Sequence, residues 1–109
     1  MNYSLNITKH AERDIQAAAD YIEFNLYDQK ASDDLLDAVE ASISELCNYP
    51  LKYQLAEDAV LKSWGIRYFS VKNYLVFYVV EKNMIYVVRF LYQKRDWISI
   101  LQREGIDNH

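Results

Sequence analysis

The sequence predicts an α+β domain: a first strand, an antiparallel helical hairpin packed on one face of a small antiparallel sheet, and a short C-terminal helix. Three observations carry that expectation. Residues 74–95, YLVFYVVEKNMIYVVRFLYQKR, hold two runs dense in valine, tyrosine and phenylalanine around the polar break Glu81-Lys82-Asn83, which reads as a β-hairpin. Upstream, two stretches separated by a short polar break switch to a helical period. The helices come first along the chain and the main strands after them, which separates the two element types instead of alternating them.

Taken in order, Asn2–Ile7 sets Tyr3, Leu5 and Ile7 against Asn2, Ser4 and Asn6, the alternation of a half-buried edge strand. Thr8 is suited to cap the helix that follows, whose stripe is Ala11, Ile15, Ala18, Ala19, Ile22 and Leu26, ending near Asn25–Tyr27. A second helix is expected from about Lys30 to Cys47 with the stripe Leu35, Leu36, Val39, Ile43 and Leu46, stopped by Asn48 and Pro50. Leu51–Leu61 has no clear period and reads as a loop. Trp64–Val71 alternates as a further strand, and Val71-Lys72-Asn73 turns it into the central hairpin. Asp96 can cap a terminal helix carrying Trp97, Ile100 and Leu101, and Gly105–His109 is expected to fray.

With Lys82-Asn83 as a two-residue turn, Glu81 sits opposite Met84. One face of the hairpin is then Leu75, Phe77, Val79, Tyr86, Val88 and Phe90; the other is Val76, Tyr78, Val80, Ile85, Val87, Arg89 and Leu91. Leu75, Phe77 and Val88 are expected in the core with Ile15, Ile22, Val39 and Ile43. Both faces are apolar, yet only one short helix is left for the second. An apolar face short of cover, with basic residues at its rim, is a candidate partner surface.

At 109 residues the chain is expected to be one domain, residues 1–109, burying roughly two-thirds of its surface. No apolar run approaches the ~20 residues of a membrane span and no signal-peptide pattern is seen, so a cytoplasmic protein without membrane contact is expected. Cys47 falls in an apolar helical pattern and reads as a small core residue, and two histidines, one terminal, suggest no metal site and no cofactor. The net charge of −4 conceals an asymmetry: residues 1–60 hold four Lys/Arg against twelve Asp/Glu, net −8, and residues 61–109 hold eight against four, net +4. The acidic half is the solvated outside of two helices; the basic half has fewer solvated positions, which turns attention to its cations.

Three segments together carry a resemblance: ITKHAERDI followed by YI at the start, GIRYF with VKNYLVFYVV in the strands, and VVRFLYQKRDW at the end of the hairpin. Across roughly residues 3–101 the chain resembles the RelE/ParE-family toxins of bacterial type II toxin–antitoxin (plasmid stabilisation) modules. The resemblance implies a growth-inhibiting toxin, neutralised by a cognate antitoxin whose C-terminal segment folds over it. Operator DNA would be reached only through that antitoxin.

The family splits by target. ParE-like members inhibit DNA gyrase without chemistry of their own; RelE-like members cleave ribosome-bound mRNA without metal. RNA cleavage of that kind needs a base for the 2′-OH, cationic stabilisation of the phosphorane and an acid for the leaving oxygen. By resemblance, Arg95 matches a catalytic arginine at the end of the last strand. Where the RNA-cleaving type has a second arginine this chain has Leu75, and its paired lysines are replaced by Ile66 and Tyr68. Arg95, Tyr92 and Arg67 remain as catalytic candidates, and Arg67, Lys72, Arg89, Lys94, Arg95 and Trp97 as contacts for a target or antitoxin. The missing cations lean the expectation to gyrase inhibition, with an altered mRNA endonuclease and a non-toxic binding module as alternatives.

Overall fold

The computed structural model describes residues 3–105, and the expectations for Asn2 and for residues 106–109 lie outside them. Its elements run β1 (Ser4–Ile7), α1 (Lys9–Asp20), a π-helical turn (Tyr21–Asn25), α2 (Gln29–Glu45), α3 (Ala59–Ser63), β2 (Arg67–Val71), β3 (Tyr74–Glu81), β4 (Met84–Tyr92) and α4 (Trp97–Glu104). Side-chain caps begin all four α-helices: Thr8, Asp28, Asp58 and Asp96 accept from the backbone N–H three residues on. Thr8 also donates its hydroxyl to the carbonyl of Val88 at 3.3 Å, which ties the start of α1 to β4.

The sheet order is β1-β4-β3-β2. The last three strands are antiparallel neighbours, and Glu81 does pair with Met84 across the Lys82-Asn83 turn. β1 runs parallel to β4, from Ser4 opposite Met84 to Ile7 opposite Val87, because the helical hairpin carries the chain across before the sheet resumes. Lys72 and Lys82 open the two tight turns with φ of 56° and 57°, the left-handed conformation in which glycine is more usual.

The expected facing of β4 is corrected at its second half. Phe77 pairs with Arg89 but Tyr78 pairs with Val87, so Val88 is an extra residue and the strand carries a β-bulge. A one-residue insertion inverts every side chain beyond it. Phe90 therefore joins Val76, Tyr78 and Val87 under the helical hairpin, against Leu35, Val39 and Ile43, while Leu91 turns to the opposite face. Leu75, Phe77 and Val88 are buried, as expected, but on that opposite face and away from Ile15, Ile22, Val39 and Ile43.

The second face is not short of cover, a further correction. Ile100, Leu101 and Trp97 of α4 close over it, joined by Leu61 of α3, Ala56 and Ile66. The segment expected to be a loop supplies half of that lid. Five residues are too few to show a helical period, so α3 leaves no pattern, although Asp58 caps it. The first residues of the expected second strand, Trp64 and Gly65, instead close α3, and the strand starts at Arg67. Each large side chain withdrawn here from water adds roughly 1.5–3 kcal/mol, enough for two short helices to stay docked.

Tyr78, wholly buried in the first core, donates its hydroxyl to the carbonyl of Pro50 at 2.8 Å. Burial pushes the phenol up to about 12, with Arg67 pulling the other way. The folded state therefore keeps a proton that the unfolded chain gives up near pH 10, so this contribution is whole below pH 10 and is lost as pH climbs towards 12. Chemical denaturation across pH 9–12 should show wild type losing stability more steeply than Tyr78→Phe; equal slopes would remove Tyr78 as the cause.

A groove at the open end of the helical hairpin

Where α1 passes into the π-helical turn, the hairpin parts from the sheet. A groove of about 820 Å³ opens there between Ala17, Ala18 and Ile22 on one side and Tyr74, Phe90 and Tyr92 on the other. The turn closes on an i-to-i+5 bond, Leu26 N–H to Tyr21 O at 3.2 Å, the spacing that widens a helix by a residue. That extra residue spoils the stripe. Tyr21, Phe24, Leu26 and Tyr27 are left exposed at the tip, Tyr27 by 87 % and with a φ of 54°. Four large, mainly apolar side chains are thus exposed within seven residues at one tip.

The floor of the groove is aromatic. Tyr74 stacks on Phe90 with centroids 4.8 Å apart and meets Tyr92 edge-on at 5.6 Å. Burial, then the neighbouring Tyr92 and Tyr21, push the Tyr74 hydroxyl above its ordinary value, so it stays protonated and able to donate. Arg95 lines one end, exposed, in the turn its N–H closes on Tyr92 O at 3.0 Å. Lys94 beside it and Lys72 in the β2–β3 turn are exposed as well, and none of the three makes an ion pair among the described residues.

The residues singled out in the sequence do not converge. Tyr92 and Arg95 share the groove. Arg67 is half-buried and donates to the carbonyl of Tyr53 at 2.6 Å. Arg89 is 5 % exposed and wholly used inside the molecule. Its Nε and Nη2 fork onto Asp14 at 2.7 and 3.2 Å, and Nη1 reaches Glu104 at 3.1 Å. Trp97 lies under the opposite face, packed on Tyr68 at 5.1 Å and Phe77 at 5.3 Å. The three positions where cations were missing hold Leu75 and Ile66, both buried, and Tyr68, half-buried against that same Trp97.

The exposed aromatics of the tip were overlooked in the sequence. Their signal is present in YIEFNLY: the stripe accounts for Ile22 and Leu26 and leaves Tyr21, Phe24 and Tyr27 without a buried role. Among the described residues no group of three His, Cys, Asp or Glu is placed to hold a metal ion, and no helix is long and apolar enough to cross a membrane.

The molecule is thus a small sheet with a helical hairpin on one face, two short helices on the other, and at the hairpin's end a groove lined by aromatic rings, Arg95 and the carboxylates Asp14 and Asp28. Residues 5–97 match the family model described as the ParE toxin of type II toxin–antitoxin system parDE, and the chain belongs to that family. A solved structure described as the chromosomal ParDE toxin–antitoxin system from P. aeruginosa superposes with a TM-score of 0.69 at 16 % identity, covering 83 % of this chain and 95 % of that one. The toxin–antitoxin complex RelBE2 from Mycobacterium tuberculosis gives 0.59 at 15 % identity, covering 84 % and 99 %. At such identities the likeness is one of fold. A search of curated proteins found no match.

Proposed function

We propose that this toxin arrests growth by inhibiting DNA gyrase through binding alone, and that an antitoxin segment laid in the Tyr74–Arg95 groove neutralises it. The observation that supports inhibition without chemistry is the dispersal of the cations. A metal-independent nuclease must gather a base, an acid and cationic charge around one phosphate. Here Arg89 is spent on Asp14 and Glu104, Arg67 on a backbone carbonyl, and Leu75 and Ile66 are core. The groove has an aromatic floor, Arg95 at one end, and Asp14 and Asp28 elsewhere in its lining, so it suits an apolar partner segment that sets a carboxylate at the Arg95 end alone.

A second reading has one observation behind it. Arg95 shares a groove with Tyr92 and the still-protonated Tyr74, an arginine beside two phenols, which is a minimal set for ribosome-dependent mRNA cleavage. Arg95→Ala addresses both. The side chain is exposed and has no internal partner among the described residues, so the variant should keep its melting temperature and lose growth arrest. Wild type should inhibit supercoiling by purified gyrase and leave ribosome-bound mRNA intact, and Arg95→Ala should lose that inhibition. Cleaved mRNA with unaffected gyrase would select the nuclease. Full toxicity of a soluble Arg95→Ala protein would remove Arg95 from the site.

A further inference from the structure

The outer edge of the sheet at β1 is guarded only by being short: the four residues Ser4–Ile7 carry no charge, no proline and no bulge. Ser4 N–H donates to Asn83 O at 2.8 Å and Thr8 N–H to Val87 O at 3.0 Å. With the two-residue period of a strand, the amides of Leu5 and Ile7 then point to the open side, where neither has a partner among the described residues.

Beside that edge lies a recess of about 500 Å³ floored by Leu5, Ile7, Ile15, Leu36, Val39 and Ile43. Leu5, Ile7, Ile15 and Leu36 are only half-buried in it. Its walls include two carboxylates, Glu12 and Glu40, and no cation; neither carboxylate is paired among the described residues. Beyond Lys30, α2 carries Asp33, Asp34, Asp37, Glu40 and Glu45 with no lysine or arginine. Lys9 and Arg13 line an adjoining recess with Asn6 and His10 that shares Ile7 and Glu12 with this one, so Glu40 is the carboxylate farther from those cations.

We propose that this edge and recess bind an extended polypeptide segment that adds to β1 as a fifth strand, sets apolar side chains into the recess and brings a lysine or arginine over Glu12 or Glu40. Backbone pairing to Leu5 and Ile7 supplies affinity, and the alternating side chains supply selectivity. A second copy of this chain fits less well, because pairing β1 with β1 brings two acidic helix flanks together. The surface is distinct from the Tyr74–Arg95 groove and selects the opposite charge. It stands whether or not gyrase is the target.

The test titrates the isotope-labelled full chain with a short blocked peptide alternating valine and lysine, and follows the amide signals. Leu5 and Ile7 should shift and gain protection from hydrogen exchange. Glu12→Lys/Glu40→Lys, both surface changes whose melting curves serve as the folding control, should bind that peptide at least tenfold more weakly and gain affinity for the matching valine–glutamate peptide. Three results each overturn the proposal: equal binding of the acidic peptide by wild type, binding that leaves Leu5 and Ile7 unmoved, or a dimer that protects those amides without peptide.

Discussion

Phe77→Ala is expected to cost about 3–5 kcal/mol and to lower the melting temperature by about 12 °C or more. Phe77 has no exposed surface and sits between Tyr68 at 5.6 Å and Trp97 at 5.3 Å, in the layer where α4 covers the sheet. Truncation removes both ring contacts and leaves a cavity beneath α4. Against a total of roughly 5–15 kcal/mol for a domain of this kind, that is a large share. Thermal or urea unfolding measures it, and a variant that melts cooperatively within a few degrees of wild type would contradict the second core.

Asp14→Ala should be comparably severe, about 3–5 kcal/mol, for an electrostatic reason. Its carboxylate takes two N–H groups of the buried Arg89 and also the backbone N–H of Phe90 at 3.1 Å, just where β1 has left the sheet and β4 lacks a neighbour on that side. Alanine strands a guanidinium away from water, with only Glu104 to share it, and leaves a strand donor unmet. The diagnostic comparison is Asp14→Leu/Arg89→Met, which removes both charges and should recover most of the loss. If the double variant is no more stable than Asp14→Ala, the penalty comes from packing and not from the stranded charge.

Most of the architecture was legible because each long element repeats its own period. The helix stripes, the Thr8 and Asp96 caps and the Glu81–Met84 turn register all follow from local patterns that many residues support at once. What escaped was what a single residue or a very short segment decides. Val88 inserts a bulge that no alternation rule anticipates in a strand apolar on both faces, and the facing of Arg89, Phe90 and Leu91 inverts with it. Five residues of α3 cannot display a helical repeat, so only the α4 part of the lid over the second face was foreseen. Among the candidate cations, the sequence marks charge but not its partners. Asp14 lies 75 positions from Arg89, a separation at which one chain gives no hint of pairing. The groove was half legible, through Tyr92 and Arg95, while its other wall depends on a π-helical turn that sequence periodicity reads as ordinary helix.

The parallel pairing of β1 with β4 also fixes when the molecule can come into being. The strand made first is held by one made almost last: Thr8 meets Val87 and Val88 across some 80 positions. A contact so distant must wait for the loop between to be ordered, which slows folding relative to a chain of local contacts. During synthesis β1 leaves the ribosome with no strand to join, and it stays unmatched until β4 follows. A translation product stopped before Met84 would lack the β4 wall of the groove and the buried arginine that Asp14 awaits. A copy interrupted there would have neither a complete groove nor a partner for its first strand.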